Sequence, residues 1–328
     1  MKMLWLMNYT GLEQLVIIAT IIFLTILLAE IFDCTKVFII ATIIFLTILL
    51  AEIFDCTKVF STRDYSHLNY GYEEHNGPIT WKNTFPNSRG KCQSPINITS
   101  KNVVCVPAET FKPIKFSSEY YDLPVSTIIM NDGHTLVLYN CWNRNASPKI
   151  CGGPLKETYR FDSLRFRWGP GEEEGSEHLI DSRRYAMEVQ AIHVKDGKKY
   201  SYLNEAACDK AVMIISYLFE ITPVDNPYLD PLLANLKDIQ MPCTQFVIQA
   251  FPLSWLVLPF TSKYYFYCGS LTFPPCTENV EWLIQSEPMS VSARQMQKFR
   301  KLCSLHGPME NNCRPVQELH GRDLYFYD

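Results

Sequence analysis

Glycine is scarce, neither charge sign is in surplus and no low-complexity tract occurs, and each shortage removes a class of protein. Fourteen Gly in 328 residues exclude collagen-like or Gly-rich fibrous material. Thirty Lys+Arg stand against 34 Asp+Glu, a net charge of -4, so there is no basic field for a nucleic-acid backbone and no acidic tail. No Ser/Gly linker or charge block divides residues 61–328, which are read as one domain with enough chain for a large core. No CxxC pair occurs after residue 60, which argues against a structural zinc site. No second apolar run follows residue 60, so a carboxy-terminal anchor or GPI signal is not expected. A Ser/His/Asp order resembling a hydrolase is missing too.

What is present begins with a long apolar run. Residues 15–29 (LVIIATIIFLTILLA) carry no charge, with Lys2 before them and Glu30 and Asp33 after, an arrangement that suits a signal peptide or a signal anchor. Residues 17–38 then recur without change as 39–60, a perfect 22-residue tandem. Two copies do not make a solenoid. One span with a cytosolic amino end puts 61–328 outside, and two spans would return it to the cytosol. Glu30 and Asp33 between the runs are costly in a bilayer, so a single leader or anchor is expected, with the second copy redundant. Ten of the twelve Cys lie after residue 60, read as disulfide partners in an oxidising compartment. Asn97-Ile98-Thr99 and Asn145-Ala146-Ser147 are glycosylation sequons. Together these features predict a secreted or cell-surface protein, held by its amino-terminal segment if uncleaved.

Along 61–328, short alternating or apolar segments recur between turn signals: 127–130, 135–140, 163–168, 187–194, 211–219 and 281–285. With 18 Tyr, 19 Phe and 20 Pro, this spacing predicts a mostly β (α+β) domain. Helical periodicity is limited to stretches such as 292–303, which Ser292 would cap.

A set of landmarks falls in one order. Tyr72-Glu73-Glu74-His75-Asn76-Gly77-Pro78 with Trp81 is followed by Gln93-Ser94-Pro95-Ile96-Asn97-Ile98, Asn131-Asp132-Gly133-His134 and Gly152-Gly153-Pro154-Leu155. Then come Leu164-Arg165-Phe166-Arg167-Trp168-Gly169, Gly175-Ser176-Glu177-His178 and Glu188-Val189-Gln190-Ala191-Ile192-His193. Gly269-Ser270-Leu271-Thr272-Phe273-Pro274-Pro275, Trp282, Glu287-Pro288, Phe299-Arg300-Lys301-Leu302 and Arg314-Pro315-Val316-Gln317 close the series. From about residue 69 to the end, the chain resembles the α-class carbonic anhydrases. The resemblance implies one domain around a large, twisted, mostly antiparallel sheet with short peripheral helices.

Catalysis in that family uses a zinc held by three His, two of them in a strand motif His-x-His. Strand residues i and i+2 point the same way, so two imidazoles converge on one metal. Here all three ligand positions are replaced, by Arg165, Arg167 and Gln190. Arginine has no lone pair to give and stays protonated, and Gln offers a weak oxygen ligand at best. Zinc is therefore expected to be lost, and hydration of carbon dioxide with it.

Other family positions survive. His134 matches the proton-shuttle His and is expected to face solvent. Thr272 and Glu177 match the pair that orients the zinc hydroxide, Tyr72 a solvent-network Tyr, and Leu271 and Ile192 the apolar wall beside the metal. Phe273, where the family usually has Thr, would narrow that wall. His178 and His193 match buried structural His. The resemblance also implies a Cys92–Cys276 disulfide. The cone should become a small pocket lined by Arg165, Arg167, Gln190, His134 and Thr272. Its arginines would either bind a small anion or pair internally with Glu177 or another carboxylate. Two functions follow. The first is a catalytically inactive carbonic anhydrase-related protein that binds another extracellular protein, expected by analogy. The alternative is a zinc carbonic anhydrase with atypical ligands.

Overall fold

The β-branched and aromatic segments of the sequence pair into one mixed sheet. The computed structural model describes residues 68–143 and 146–328. The apolar run, its tandem repeat and Asn145 lie outside the described residues. Ten strands form the main path: β1 (Val104–Val106), β2 (Ser126–Asn131), β3 (Leu136–Cys141), β4 (Tyr159–Trp168), β5 (Met187–Lys195), β6 (Val212–Ile221), β7 (Thr244–Ile248), β8 (Tyr264–Ser270), β9 (Glu278–Gln285) and β10 (Tyr325–Tyr327). Their order across the sheet is β7-β2-β3-β4-β5-β6-β9-β8-β10-β1, and three short strands bring it to 13. Pairing along this path is antiparallel except at β6–β9 and β10–β1. The expected mostly β fold with a mostly antiparallel sheet is what the chain adopts. Among the described residues no helix is long and apolar enough to cross a membrane.

Period-two alternation gives the sheet two faces. On β4, Leu164, Phe166 and Trp168 enter one hydrophobic core, joined by Met187, Val189 and Ala191 of β5 and Met213, Ile215, Tyr217 and Phe219 of β6. The second core, on the other face, takes Ile192, Val212, Ile214 and Leu218 together with Leu271, Phe273, Trp282 and Trp81. Arg165 and Arg167 alternate with Phe166 and so leave the first core for the opposite face. Both sides of the central strands are buried, so a charge on either side must find its partner inside the protein.

The helix Ala293–Phe299 starts at Ser292, whose hydroxyl accepts from the Gln295 N–H at 3.1 Å. Gln295 returns the bond to the Ser292 N–H, closing a capping box. Met296 and Phe299 then face the first core.

Candidate functional site

Antiparallel register assembles the site. Arg165 of β4 lies opposite Gln190 of β5, and Arg167 opposite Glu188. Arg165, Arg167 and Gln190 therefore share one face of two neighbouring strands. All are closed off from solvent, Arg165 at 1% and Arg167 and Gln190 at 0% exposure.

Each arginine has its own carboxylate. Arg165 Nη1 donates to Asp132 Oδ2 at 3.0 Å. Asp132 stands in the β2–β3 turn, where its Oδ1 accepts from the His134 and Thr135 N–H groups at 3.0 and 2.8 Å. Gly133 makes that turn with φ +85, a conformation that favours glycine. Arg167 Nε lies 3.4 Å from Glu177 Oε2, and Nη1 donates to the Tyr72 hydroxyl at 2.8 Å and the Asn312 carbonyl at 3.2 Å. Phe273 lies against both cations, with its ring centroid 4.5 Å from Arg165 Cζ and 5.4 Å from Arg167 Cζ.

Gln190 turns its donors toward the acids. Its carboxamide nitrogen, Nε2, donates to Glu177 Oε2 at 2.6 Å and Glu188 Oε1 at 3.0 Å. Its oxygen lies 3.4 Å from the Thr272 hydroxyl. The Thr272 side chain also hydrogen-bonds Glu177, so that pair is retained. Glu188 further accepts from the His178 ring at 2.9 Å and from the backbone N–H groups of Glu177 and His178, both at 2.8 Å.

Burial sets the electrostatics, and the partners correct it. Burial pushes the Glu177 carboxyl up, against the pull of the Arg167 charge and the Thr272 and Arg314 hydrogen bonds. Burial also opposes the Glu188 charge, but His178 and Gln190 hold that carboxyl down at about 2. Burial opposes the Arg167 charge as well, and Glu177 beside it more than offsets this, so the guanidinium stays protonated. Burial keeps the Tyr72 phenol neutral, its pKa raised despite Arg167.

A zinc ion does not fit these residues. Two of the three positions present cations and the third presents amide hydrogens, so no lone pair points at a common centre. Among the described residues no group of three His, Cys, Asp or Glu could hold a metal ion.

Three expectations are corrected. His134 does not face solvent: it is 2% exposed and stacks on Tyr70, ring centroids 3.8 Å apart at 10°. The small pocket expected from Arg165, Arg167, Gln190, His134 and Thr272 does not form at the arginines, which pair internally, one of the two alternatives the sequence left open. Asp132 and Glu177 are those partners, and a cavity of about 280 Å³ has Tyr70, Tyr72, Glu73, His134, His306 and Glu310 among its walls but not Arg165, Arg167, Gln190 or Thr272. The Cys92–Cys276 bridge is not formed, and both thiols are free. Cys92 directly precedes Gln93, and the segment is fixed by other bonds. Glu278 Oε1 accepts from the Cys92 N–H at 2.7 Å, and Gln93 Nε2 donates to the Cys276 carbonyl at 3.2 Å.

His178 and His193 are both fully buried. His178 Nε2 meets the Tyr267 hydroxyl at 2.8 Å, and His193 lies on the opposite face of the sheet from the arginines, among residues of the first core such as Phe161 and Tyr120. Leu271 and Ile192 are buried in the second core. Asn97 is partly exposed, its amide exchanging hydrogen bonds of 2.9 and 3.0 Å with Ser182.

The sequence reading did not single out Asp132, Glu188, Tyr70 or Asn312. Asn312 accepts from the Trp168 N–H at 2.8 Å and donates to the Phe166 carbonyl at 3.0 Å, clamping the end of β4. Asp132 was the findable one, because two buried arginines demand two carboxylates, and the second, besides Glu177, stood unnamed.

Comparison with known proteins agrees with this fold. The model of the eukaryotic-type carbonic anhydrase family matches residues 76–328. Carbonic anhydrase 7 of Mus musculus is 34% identical over 264 residues, covering 78% of this chain and 96% of that protein, and its Homo sapiens counterpart matches to the same extent. Carbonic anhydrase 1 of Monodelphis domestica is 33% identical, covering 79% of this chain and 98% of its own. The fold, the ordered landmarks and the retained Thr272–Glu177 pair have one common explanation: this chain belongs to the eukaryotic-type carbonic anhydrase family.

Proposed function

We propose that the protein is a catalytically inactive carbonic anhydrase-related module, secreted or displayed at the cell surface, that binds another extracellular protein and carries no zinc. The observation that supports this reading is the pairing of Arg165 with Asp132 and Arg167 with Glu177. Cations stand at two of the family's three ligand positions, and each is neutralised internally. Without a metal to lower the pKa of a bound water, the retained Thr272 and Glu177 have no hydroxide to orient. The apolar run at 15–29 and the Asn97 sequon support an extracellular location, with Asn97 glycosylated.

Elemental mass spectrometry and a carbon dioxide hydration assay on the purified full chain test the catalytic part. Metal well below one equivalent and hydration at the uncatalysed rate are expected. Stoichiometric zinc with measurable hydration would overturn the proposal and establish a zinc enzyme with atypical ligands.

A further inference from the structure

We propose that β7, Thr244–Ile248, is the surface through which two copies of this chain associate, the two strands pairing antiparallel across a two-fold axis. β7 ends the sheet path: it pairs with β2 on one side, and no strand pairs with its other side among the described residues. An unpaired edge presents backbone N–H and C=O groups to any strand of matching pattern, and proteins usually guard such edges with charge, proline or brevity. The opposite edge, β1, is so guarded. It is three residues long, pairs parallel with β10 and runs into Pro107, with Lys101 and Glu109 nearby.

β7 has none of these guards within it. From Ile239 to Ser262 the sequence holds no Asp, Glu, Lys, Arg or His, 24 uncharged residues in a chain that is 20% charged. Within that stretch Phe246 is 42% exposed and Val247 61% exposed. Successive strand residues face opposite ways, so both sides of the edge are apolar at its centre. Met241 precedes the strand at 61% exposure. At the other end Ile248 lies opposite Thr127, and Leu123 and Val125, which precede Thr127 in the chain, are 66% and 44% exposed.

Charge selects the occupant. In an isologous contact each group near the axis meets its own copy, so any charge there is repelled by itself. An edge with no charge over 24 residues meets that condition, and it offers nothing to a charged partner. This inference does not depend on whether the protein is an enzyme.

The test is sedimentation velocity on the full chain over a range of concentrations, with amide hydrogen exchange read at 244–248. The wild type is expected to show a two-chain species that grows with concentration, and exchange at β7 that slows in step. Val247→Lys and Val247→Glu, at an exposed position, should each lose that species, and mixing the two variants should restore it. A single-chain mass at every concentration overturns the proposal, as does a dimer that persists in both charged variants. Exchange at β7 that is slow at all concentrations overturns it too, because a segment of the same chain then covers the edge.

Discussion

Arg165 and Asp132 form an ion pair of 3.0 Å in which neither side chain is more than 1% exposed. The same carboxylate closes the β2–β3 turn by accepting two backbone N–H bonds. A charge at a former metal-ligand position is thus tied to the turn that carries His134. The buried cation and the turn therefore form one structural unit, with the arginine requiring the acid.

Replacing the acid should therefore be more harmful than its position in a turn suggests. Asp132→Asn preserves shape but leaves a buried guanidinium without a counterion, a loss of about 3–5 kcal/mol. Arg165→Met should cost less, because Asp132 keeps its two backbone donors. The double variant should lose well under the sum of the two single losses, since the members of one buried pair are coupled. Urea denaturation of all four proteins measures this, and additive losses would show that the pair is not coupled.

The buried acids and bases also fix a pH response. Burial pushes the His193 imidazole down from 6.5 to about 4. Its Nδ1 lies 2.9 Å from the Ala191 carbonyl and therefore carries the proton, leaving Nε2 to accept from the Tyr120 hydroxyl at 2.6 Å. A base with a depressed folded pKa binds its proton more readily when unfolded, so its stability contribution is full above 6.5 and falls as pH drops toward 4. The full loss is on the order of 3 kcal/mol, at about 1.4 kcal/mol per pH unit. Thermal melts between pH 7.5 and 4.5 should show this decline, and His193→Gln should flatten it. An unchanged slope in the variant would assign the decline to other groups.

The strands around the site were legible because their side chains follow a strict period. Segments 163–168 and 187–194 lie within β4 and β5, 211–219 overlaps β6 in all but its first residue, and Ser292 caps its helix. β8, by contrast, was not anticipated. Its residues Tyr264 to Ser270 set three buried tyrosines beside a half-buried Phe266 and an exposed Cys268 and end in a Gly-Ser bulge, so no period-two alternation marks it. The replaced ligands could be read from single positions, because chemistry alone disqualifies arginine. Their partners could not, since Asp132 and Arg165 are 33 residues apart and meet only through the β3–β4 pairing that sets Val137 opposite Arg165. The Cys92–Cys276 expectation failed for a related reason. A bridge depends on where two side chains point, and the hydrogen bonds of Gln93 and Glu278 decide that locally.

Those cysteines should differ in reactivity. Burial pushes the Cys276 thiol up to about 11, and its side chain is 0% exposed, so the thiolate needed for alkylation is rare and enclosed. Cys105, Cys208 and Cys243 are exposed. Brief iodoacetamide treatment of the native protein, followed by peptide mapping, should label those three and spare Cys276 until denaturant is added. A Cys276 found in a disulfide, or labelled as fast as Cys105, would contradict the described arrangement.

Charge balance suggests how the metal site could be rebuilt. Arg165 and Arg167 place two positive charges beside Asp132, Glu177 and Glu188, and a zinc ion would bring the same two charges to that region. The variant Arg165→His, Arg167→His, Gln190→His supplies three neutral imidazoles on one face of β4 and β5, at the register Arg165 opposite Gln190. Without metal it should be markedly less stable than wild type, because the buried carboxylates lose their counterions. With zinc it should retain about one equivalent after dialysis and recover its melting temperature, since a ligand that binds only the folded state stabilises it. Adding Phe273→Thr should ease binding by removing the ring that lies against both guanidinium groups. Elemental analysis and melts with and without zinc decide the matter. A variant that folds but ignores zinc would mean that the backbone of β4 and β5, and not only three side chains, has moved away from a metal-binding geometry.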